Sequence, residues 1–439
     1  MKEQKKIPVT KVQRASRFVA TGARVGGNYL KYYSKKLIKP DQGRDELDAD
    51  NAEDIYNSLS ELKGSALKVA QMLSMDQGML PGVYAEKFSQ AQYNAPPLSY
   101  PLVVKTFQRE LGQGPEHFFD SFGKSAAAAA SIGQVHKGRI GKTVYAVKVQ
   151  YPGVADSIHS DLRMVKPIAQ RMFNISEADI NHYLSEVEER LIEECDYGLE
   201  YTRSLEIADH CRHIPDLQFP EYLPKISSRR ILTMEWLPGA HMEEFLKADP
   251  DQKTRDRLGQ AIWDFYDHQI HSMKQVHADP HPGNFLLQSS GTVGVIDFGC
   301  VKTLTDEFYT RYFRLLNVED GKEPEDYESL LYDLQYLLKE DRADDAAYYK
   351  KRILELNQIL GRPFHHEEFD FGDPAYFSSI YRLSEELSKD KRLRSANGAR
   401  GPKDALYINR TYFGLYSLLN RLGARIRVTS PISSLSLQA

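Results

Sequence analysis

The sequence has few cysteines and no long apolar run, and both absences narrow the class of protein. Its three cysteines, Cys195, Cys211 and Cys300, are widely spaced and form no C-x-x-C pair. Such spacing favours a reducing compartment and argues against a disulfide framework or a zinc site. No stretch approaches the roughly 18 apolar residues that a membrane span needs, and the first residues lack the apolar core of a secretory signal. We therefore expect a cytoplasmic protein without a transmembrane segment.

A strong net charge is also lacking. The formal charge of −4 over 439 residues gives no reason to expect a nucleic-acid partner. The charge is uneven, however, because residues 1–40 hold eleven Lys and Arg against one acidic residue. Apolar residues are interspersed among these cations, so the arm either stays solvated as a basic tail or lies peripherally on an anionic membrane. Both alternatives remain open from the sequence.

Length and apolar content predict more than one folding unit. An apolar fraction of 41% supports a sizeable core, and 439 residues favour two or three units or lobes. Paired strands are predicted near 135–150 and 225–237, whereas the region after Lys302 looks helical, which gives an α+β fold class. The predicted division is a basic arm (1–45), a helical extension (46–112), an N-terminal lobe (113–237), a C-terminal lobe (238–425) and a tail (426–439).

The stretch VHADPHPGNFLLQSSGTVGVIDFG, at 276–299, concentrates the polar chemistry of the chain. Asp279 and Asn284 lie on a loop broken by proline and glycine, and Asp297 follows a predicted hairpin of 285–288 and 292–296. The hairpin can bring the three side chains together around one divalent cation, and Mg²⁺ prefers oxygen ligands. The pattern D-x-x-x-x-N followed by D-F-G matches the catalytic and metal loops of the protein-kinase fold.

An upstream strand supplies a lysine that fits the same chemistry. Lys148 and Ala146 share a face of the predicted strand 143–150, and a lysine among apolar neighbours needs an anionic partner. Lys148 could hold the α- and β-phosphates of a nucleotide, while Ala146 leaves room for an adenine. Glu194, near the end of a helix predicted over 181–197, could hold Lys148 in place.

A break at Pro238-Gly239 predicts the hinge between the lobes. Glu235 and Leu237, at the end of the strand before it, are predicted to line the nucleotide site. Each motif alone has a plainer explanation: a surface lysine, a solvated helix glutamate or a structural Pro-Gly turn. The order of strand lysine, helix glutamate, hinge, D-x-x-x-x-N and D-F-G favours phosphoryl transfer, which needs cations on the phosphates and a carboxylate near the acceptor.

The chain resembles the UbiB/AarF family of atypical kinases, whose eukaryotic members act in coenzyme Q biosynthesis. The resemblance runs from about residue 62 to 300 and implies a two-lobed protein-kinase-like fold with an N-terminal helical extension. Several short motifs carry it: L-K-V-A-Q-M-L-S at 67–74, A-A-A-S-I-G-Q-V-H at 128–136, V-K-V-Q-Y-P-G-V at 147–154, E-C-D-Y at 194–197, D-P-H-P-G-N at 279–284 and D-F-G at 297–299.

The resemblance implies a role for each matching residue. Lys148 and Glu194 would form the nucleotide-orienting ion pair, Asp279 would be the catalytic aspartate, and Asn284 and Asp297 would hold Mg²⁺. Glu194 and Asp196 match the E-x-D pair of the family, Lys68 and Gln71 belong to a helix over the active site, and Glu200 is expected to contact that helix. The loop expected to face the nucleotide comprises Ala128, Ala129, Ala130, Ser131, Gly133 and Val135.

Two departures from ordinary protein kinases and one from the family motif shape the expected function. Alanines at 128 and 130 replace glycines of the G-x-G-x-x-G loop, and alanine permits less close backbone approach to phosphates. Ala278 stands where protein kinases place the Arg of H-R-D, and no A-P-E follows Asp297. Ala70 replaces the glycine of the K-x-G-Q motif of the family but remains compatible with a helix. The first two departures argue against a peptide substrate, whereas Ala70 bears on how closely the helix packs against the lobe.

The predicted function is an atypical kinase or ATPase that binds Mg-ATP and supports isoprenoid quinone or other lipid metabolism. The alternative is an ATP-gated regulator or lipid chaperone without a dedicated phospho-acceptor, and an ordinary protein kinase is the third possibility. The expected partners are a lipid or small-molecule substrate and proteins of lipid biosynthesis, with no nucleic acid.

Overall fold

The computed structural model describes residues 11–38, 45–62, 84, 87, 98–129, 132–173, 177–318, 323–394 and 400–428. The chain divides into two compact units. Unit 1 comprises Met1–Tyr201 and Glu221–Trp236, and unit 2 comprises Thr202–Pro220 and Leu237–Ala439. Among the described residues, no helix is long and apolar enough to cross a membrane.

Helices make up most of the described chain. In chain order they are α1 (Lys11–Ile38), α2 (Asp45–Leu62), α3 (Tyr100–Leu111), α4 (Pro115–Phe118), α5 (Val154–Phe173), α6 (Glu177–Glu194), α7 (Tyr197–Cys211), α8 (Met242–Lys247), α9 (Gln252–Asp267), α10 (Asp306–Leu316), α11 (Tyr327–Asp333), α12 (Ala343–Gly361), α13 (Pro374–Lys389), α14 (Lys391–Arg394) and α15 (Lys403–Leu422). A π-helical turn, His268–Ser272, continues α9, and short 3₁₀ turns occur at Pro224–Ile226, Pro282–Asn284 and Arg362–His365.

The strands are short except for one hairpin. They are β1 (Ser121–Phe122), β2 (Ala128–Ala129), β3 (Gly133–Ile140), β4 (Thr143–Gln150), β5 (Leu217–Gln218), β6 (Ile231–Glu235), β7 (Gln275–His277), β8 (Phe285–Leu287), β9 (Val293–Val295), β10 (Val301–Thr303), β11 (Glu368–Asp370) and β12 (Arg425–Arg427). The mixture of helices and small sheets agrees with the predicted α+β class.

Unit 1 contains one antiparallel sheet in the order β1-β3-β4-β6, with β2 also paired to β3. The β3–β4 hairpin turns at Gly141, which has a left-handed backbone (φ 58°) that suits glycine. Val147 and Val149 on β4 are buried against Val103 and Phe107 of α3. One face of β4 is therefore fixed by apolar packing, which sets the direction in which Lys148 on the other face points.

Helices α1, α2 and α5 of unit 1 meet at a buried ion pair. The Arg14 guanidinium donates to both carboxylate oxygens of Asp161, at 2.7 and 2.5 Å, and to the carbonyl of Leu62 at 2.9 Å. Arg14 and Asp161 are only 3% and 0% exposed. The bidentate pair joins the basic arm to α5 at a specific register, and the bond to Leu62 joins it to the helical extension.

Unit 2 is built around α9 and α15, whose apolar faces share one core with α10 and α12. Trp263 of α9 stacks on Tyr416 of α15 with ring centroids 6.4 Å apart. Three small sheets lie in this unit: β7 with β10, β8 with β9 and β5, and β11 with β12. The first two of these sheets frame the stretch 276–299 and hold it on the core.

Three predicted elements are wrong in detail. The helix expected over 181–197 ends at Glu194, and a separate helix, α7, begins at Tyr197. The strand expected near 225–228 is the 3₁₀ turn Pro224–Ile226, since Pro224 fixes the backbone angle at the start of a helical turn. The region after Lys302 is not wholly helical, because β11 and β12 pair there.

Candidate nucleotide and metal site

Asp279 and Asn284 are tied together by the backbone of the loop between β7 and β8. The Asn284 side-chain amide donates to the Asp279 carbonyl at 2.9 Å, and the His281 backbone N–H donates to the same oxygen at 2.7 Å. His281 caps the 3₁₀ turn, because its Nδ1 accepts the Gly283 N–H at 3.0 Å. These bonds fix the short loop between the two predicted functional residues.

The predicted hairpin after this loop is confirmed, and it brings Asp297 to the same place. β8 and β9 pair antiparallel with Phe285 opposite Val295. The Ile296 N–H then donates to the Asn284 carbonyl at 3.1 Å, which places the next residue, Asp297, beside Asn284. Asp297 closes its own turn by accepting the Gly299 N–H at 2.9 Å. Asp279, Asn284 and Asp297 are therefore neighbours, as the sequence predicts.

A buried polar layer supports the loop between β7 and β8, which we call the catalytic loop after its predicted role. His277 is fully buried. Its backbone N–H donates to the Gln269 side-chain oxygen at 3.2 Å, and its ring Nδ1 lies 3.2 Å from the Tyr266 hydroxyl. Gln269 lies in the π-helical turn and donates back to the Phe265 carbonyl at 3.0 Å. Burial, and then the nearby Asp279 carboxylate, raise the pKa of Tyr266 well above its usual value, so this phenol stays protonated.

Ala278 leaves no room for the arginine that protein kinases carry at this position. Ala278 is 1% exposed, and its backbone N–H donates to the Cys300 carbonyl at 2.9 Å, across the β7–β10 pair. A long cationic side chain there would need a cavity that the packing of β7 and β10 does not offer.

In unit 1, Lys148 is paired with Glu200. The Lys148 ammonium donates to Glu200 Oε1 at 2.5 Å, and the two side chains are 13% and 6% exposed. Lys148 lies on β4 opposite Val135 of β3 and Leu232 of β6, and Glu200 lies in the first turn of α7. A buried, charge-assisted contact of this kind gives a lysine a defined position from which to meet an anion.

The sequence predicted Glu194 as the partner of Lys148, whereas the ion pair that the structure describes is with Glu200. Glu194 is the last residue of α6, whereas Glu200 begins the next helix. Asp196 produces the break, since its carboxylate accepts the N–H groups of Gly198 (3.0 Å) and Leu199 (3.3 Å), as an N-cap does. The sequence signal for this helix start was an Asp after the last apolar position of α6.

Asp196 also forms an ion pair with Arg229 at 3.0 Å. The observed contacts of Asp196 are therefore those of a cap and a surface pair. The regulatory roles expected for Asp196 and Glu200 stay predictions. Lys68 and Gln71, with which they were expected to act, lie outside the described residues, as do Ala130 and Ser131 of the alanine loop.

The described part of the alanine loop is an extended strand. Ala128 and Ala129 form β2 and pair with Val135 and Gln134 of β3. Gly133 is buried, and a Cβ added there would lie 2.6 Å from the Tyr197 hydroxyl and 2.9 Å from the Val149 carbonyl. Glycine is therefore required at 133 by packing alone.

The remaining predicted nucleotide contacts lie on buried or partly buried positions. Ala146 is 7% exposed and faces Met234 of β6 in register, and Glu235 closes the same pairing opposite Tyr145. Leu237 is 3% exposed and belongs to unit 2, where it packs beside Gly294. Their contact with a nucleotide stays a prediction.

The donor set at the catalytic loop fits Mg²⁺ better than a transition metal. Among the described residues, no group of three or more His, Cys, Asp or Glu side chains is placed to hold a metal ion. Asn284 and Asp297 instead offer one amide and one carboxylate, and the Asn284 nitrogen is engaged by Asp279, which leaves its oxygen for a cation. Mg²⁺ commonly takes one or two protein oxygens and completes its shell with water and phosphate.

The sequence matches one family model, described as the ABC1 atypical kinase-like domain, over residues 90–319. A protein named probable serine/threonine-protein kinase abkA from Dictyostelium discoideum is 27% identical, over 97% of this chain and 79% of its own length. The protein named atypical kinase COQ8, mitochondrial, from Saccharomyces cerevisiae is also 27% identical, over 96% of this chain and 83% of its own length.

A solved structure gives the same answer for the fold. A structure titled "The complex structure of Rv3197-erythromycin from Mycobacterium tuberculosis" contains a protein that is 25% identical to this chain. The TM-score is 0.60, and the match covers 90% of this chain and 98% of that one. These likenesses confirm the predicted family resemblance, the kinase-like α+β fold and the enzyme class of ATP-dependent phosphotransferase or ATPase.

Proposed function

The chain belongs to the ABC1 atypical kinase-like family, and from that premise we propose that it binds Mg-ATP and uses it to support the metabolism of an isoprenoid quinone or another lipid. The observation that carries the proposal is the hydrogen bond between Asn284 and Asp279 within the loop–hairpin unit that ends at Asp297. This loop and hairpin, in unit 2, support a role for Asp279 as the base and for Asn284 and Asp297 as oxygen ligands. The Lys148–Glu200 pair supplies the cation in unit 1.

Each residue has a definite task in this proposal. Asp279 accepts a hydrogen bond from the attacking hydroxyl or water and orients it. Lys148, held by Glu200, binds phosphate oxygens and balances their charge. When bound, Mg²⁺ supplies Lewis-acid neutralisation of the phosphate charge, with Asn284 and Asp297 as its protein ligands. Catalysis by such a site is mainly positioning and electrostatic stabilisation.

The alanine replacing the H-R-D arginine supports a small-molecule or lipid acceptor over a peptide. The buried Ala278 leaves the catalytic loop without the cation that protein kinases use to couple this loop to a regulatory segment. Names of relatives such as the yeast mitochondrial COQ8 protein, and the coenzyme Q role of the resembling family, support a quinone pathway. Proteins of lipid biosynthesis are the partners expected on the same grounds.

Substitution of Asp279 tests this proposal. The Asp279→Asn protein should lose ATP turnover by about 10²-fold or more while still binding nucleotide, because a general base contributes 10²–10⁴-fold. Asp209→Asn is a suitable control, since Asp209 is an exposed residue of α7. Undiminished turnover by Asp279→Asn, with Asp209→Asn also active, would refute the role of Asp279.

A second candidate, an ATP-gated regulator or lipid chaperone, is favoured by the extended alanine strand β2. Backbone held in a strand by β3 cannot wrap a phosphate as a glycine loop does. Purified protein given γ-labelled ATP with and without lipid separates the two candidates. Label on a discrete small molecule supports phosphotransfer, whereas release of inorganic phosphate alone supports the regulator. Labelled peptides would instead support an ordinary protein kinase.

We also propose that the basic arm contacts an anionic membrane surface. Val19, Leu30 and Tyr33 of α1 are 73%, 73% and 53% exposed and lie within about one-sixth of a helical turn of one another. Lys36 is also exposed and lies about one-sixth of a turn beyond Tyr33, whereas Arg24 and Lys31 lie on another side of the helix and pair with Asp54 and Asp50 of α2. An outward apolar stripe on a helix rich in Lys and Arg is the pattern of a helix lying in a membrane interface.

A further inference from the structure

The catalytic loop is packed against a glycine on the last long helix. Gly414 lies in the interior of α15 (Lys403–Leu422), where it touches Pro280, the residue directly after Asp279. A Cβ added at Gly414 would overlap Pro280 Cγ and would lie 3.0 Å from Pro280 Cβ and 3.3 Å from the Pro280 carbonyl oxygen. There is no space for even one methyl group at this contact.

Apart from its contact with Pro280, glycine is unfavourable at position 414. In a helix interior it costs about 0.5–1 kcal/mol relative to alanine. The two turns on either side of Gly414 bury Thr411, Leu415 and Leu418, so the helix is otherwise built for packing. The close approach of Pro280 is the contact that excludes a side chain here.

Helix α15 cannot retreat from the loop, because its other faces are anchored. The Tyr416 hydroxyl donates to the Leu360 carbonyl at 2.7 Å, and Asn420 donates to the Phe371 carbonyl at 2.8 Å. The Tyr412 hydroxyl lies 3.2 Å from His271 Nε2. An added methyl group at 414 would therefore push on the loop more than on the helix.

Pro280 is suited to transmit that push to the functional residues. Its ring fixes φ, so it moves as a rigid unit with the preceding peptide bond. The Asp279 carbonyl on that bond accepts both His281 N–H and the Asn284 side chain. A shift of Pro280 thus changes the position of Asp279 and of the Asn284 amide together.

From this geometry we propose that Gly414 is a positioning residue, which seats Pro280 and thereby fixes Asp279 and Asn284 for phosphoryl transfer. The inference rests on the proposed function, because it assigns Gly414 a task in the same reaction. Gly414 itself acts only through the loop. Its removal should lower kcat and leave the affinity for nucleotide nearly unchanged, since Gly414 seats Asp279 and Asn284 and not Lys148, the residue proposed to bind the phosphates.

The test compares two glycines in helix interiors of the full-length protein. Gly414→Ala should lower kcat for ATP turnover by about 10²-fold with KM for ATP within about 3-fold, because relieving the overlap requires a shift of about 1 Å. Gly259→Ala is the matched control, since a Cβ at Gly259 in α9 would overlap Ala424 in the same core, away from the loop. It should lower Tm while keeping kcat per folded molecule.

Removal of the proline identifies the contact itself. In the Pro280→Gly background, adding Gly414→Ala should lower kcat by no more than about 3-fold, because the overlapping ring atoms are gone. An unchanged kcat in Gly414→Ala alone, or an equal loss in both backgrounds, would overturn the proposal. If Gly414→Ala does not fold, Pro280→Ala decides: we expect a several-fold lower kcat at unchanged KM, and a wild-type kcat would overturn the proposal.

Hydrogen exchange separates failure of this inference from failure of the proposed function. Amides of residues 277–285 should exchange faster in Gly414→Ala than in the wild type, and Gly259→Ala should leave them unchanged, whether or not ATP is turned over. Unaltered exchange there would overturn the positioning role. Loss of the proposed function would instead appear as wild-type protein without ATP turnover, or as an active Asp279→Asn protein.

Discussion

The choice between Glu200 and Glu194 as the partner of Lys148 can be decided by two single substitutions. The structure places Glu200 Oε1 2.5 Å from the Lys148 ammonium, with both side chains less than one-seventh exposed. Glu200→Gln keeps the shape and one hydrogen-bond acceptor but removes the charge. Glu194→Gln is the matched control, because it makes the same change six residues earlier, at the end of α6.

The size of the effect follows from the burial of the pair. Removing one partner of a buried ion pair costs about 3–5 kcal/mol, because the remaining charge stays desolvated. The glutamine oxygen retains part of the hydrogen bond, so we take about 2 kcal/mol as the loss. At 1.36 kcal/mol for each tenfold change, this corresponds to about a 30-fold lower kcat/KM for ATP.

The assay is steady-state ATP turnover, with Tm measured beside it. Glu200→Gln should lower kcat/KM about 30-fold and also lower Tm, whereas Glu194→Gln should change neither by a comparable amount. The reasoning fails if Glu194→Gln abolishes turnover while Glu200→Gln behaves as wild type. That result would assign the nucleotide-orienting role to Glu194, as the sequence alone suggested.

Three further predictions concern stability and membrane contact. Arg14→Met should destabilise unit 1 by about 3–5 kcal/mol in urea unfolding, because it removes the cation paired with the buried Asp161 carboxylate; a loss below about 1 kcal/mol would contradict a tight pair. Burial raises the pKa of Asp267 to about 7, so the folded state keeps a proton that the unfolded chain releases near pH 4, and stability falls as pH rises between these values. Asp267→Asn should therefore raise Tm more at pH 8 than at pH 5. An equal gain at both pH values would show that ionisation of the buried Asp267 is not the cause. Leu30→Glu should weaken co-sedimentation with phosphatidylglycerol-containing vesicles, whereas Tyr381→Glu, at a residue 69% exposed in unit 2, should not; equal losses would argue against a specific α1 surface.

The catalytic loop could be predicted from sequence because its chemistry is local. Pro280, Pro282 and Gly283 force a turn, and the alternating residues after Asn284 require a hairpin that returns the chain to Asp297. The pairing of β8 with β9 confirms the predicted hairpin. Spacing of a few residues then suffices to place three side chains together.

The partner of Lys148 could not be read in the same way, because it depends on where one helix ends. A helix continued through 195–197 would put Glu194 and Glu200 on faces far apart, and the sequence offers apolar positions that allow such continuation. Asp196 ends that possibility by capping a new helix, α7. The contact of Gly414 with Pro280 was also beyond sequence reasoning, since it joins residues more than 130 positions apart through packing alone.

In the alanine loop, packing explains a retained glycine that could otherwise suggest phosphate binding. Gly133 is the single glycine at the three positions of the loop compared with G-x-G-x-x-G, and its retention could suggest a remaining phosphate contact. Its Cβ position is filled by the Tyr197 hydroxyl and the Val149 carbonyl, so packing alone requires glycine there. Ala128 and Ala129 are held in β2 by β3. The described backbone of the alanine loop is thus paired within the sheet. Under the proposed function, the charge of bound phosphates would therefore be balanced mainly by Lys148 and the metal. Lys148 depends on Glu200 for its position, and the metal ligand Asn284 depends on Gly414 through Pro280. ATP turnover should therefore be more sensitive to substitution of Glu200 or Gly414 than to substitution in the alanine loop.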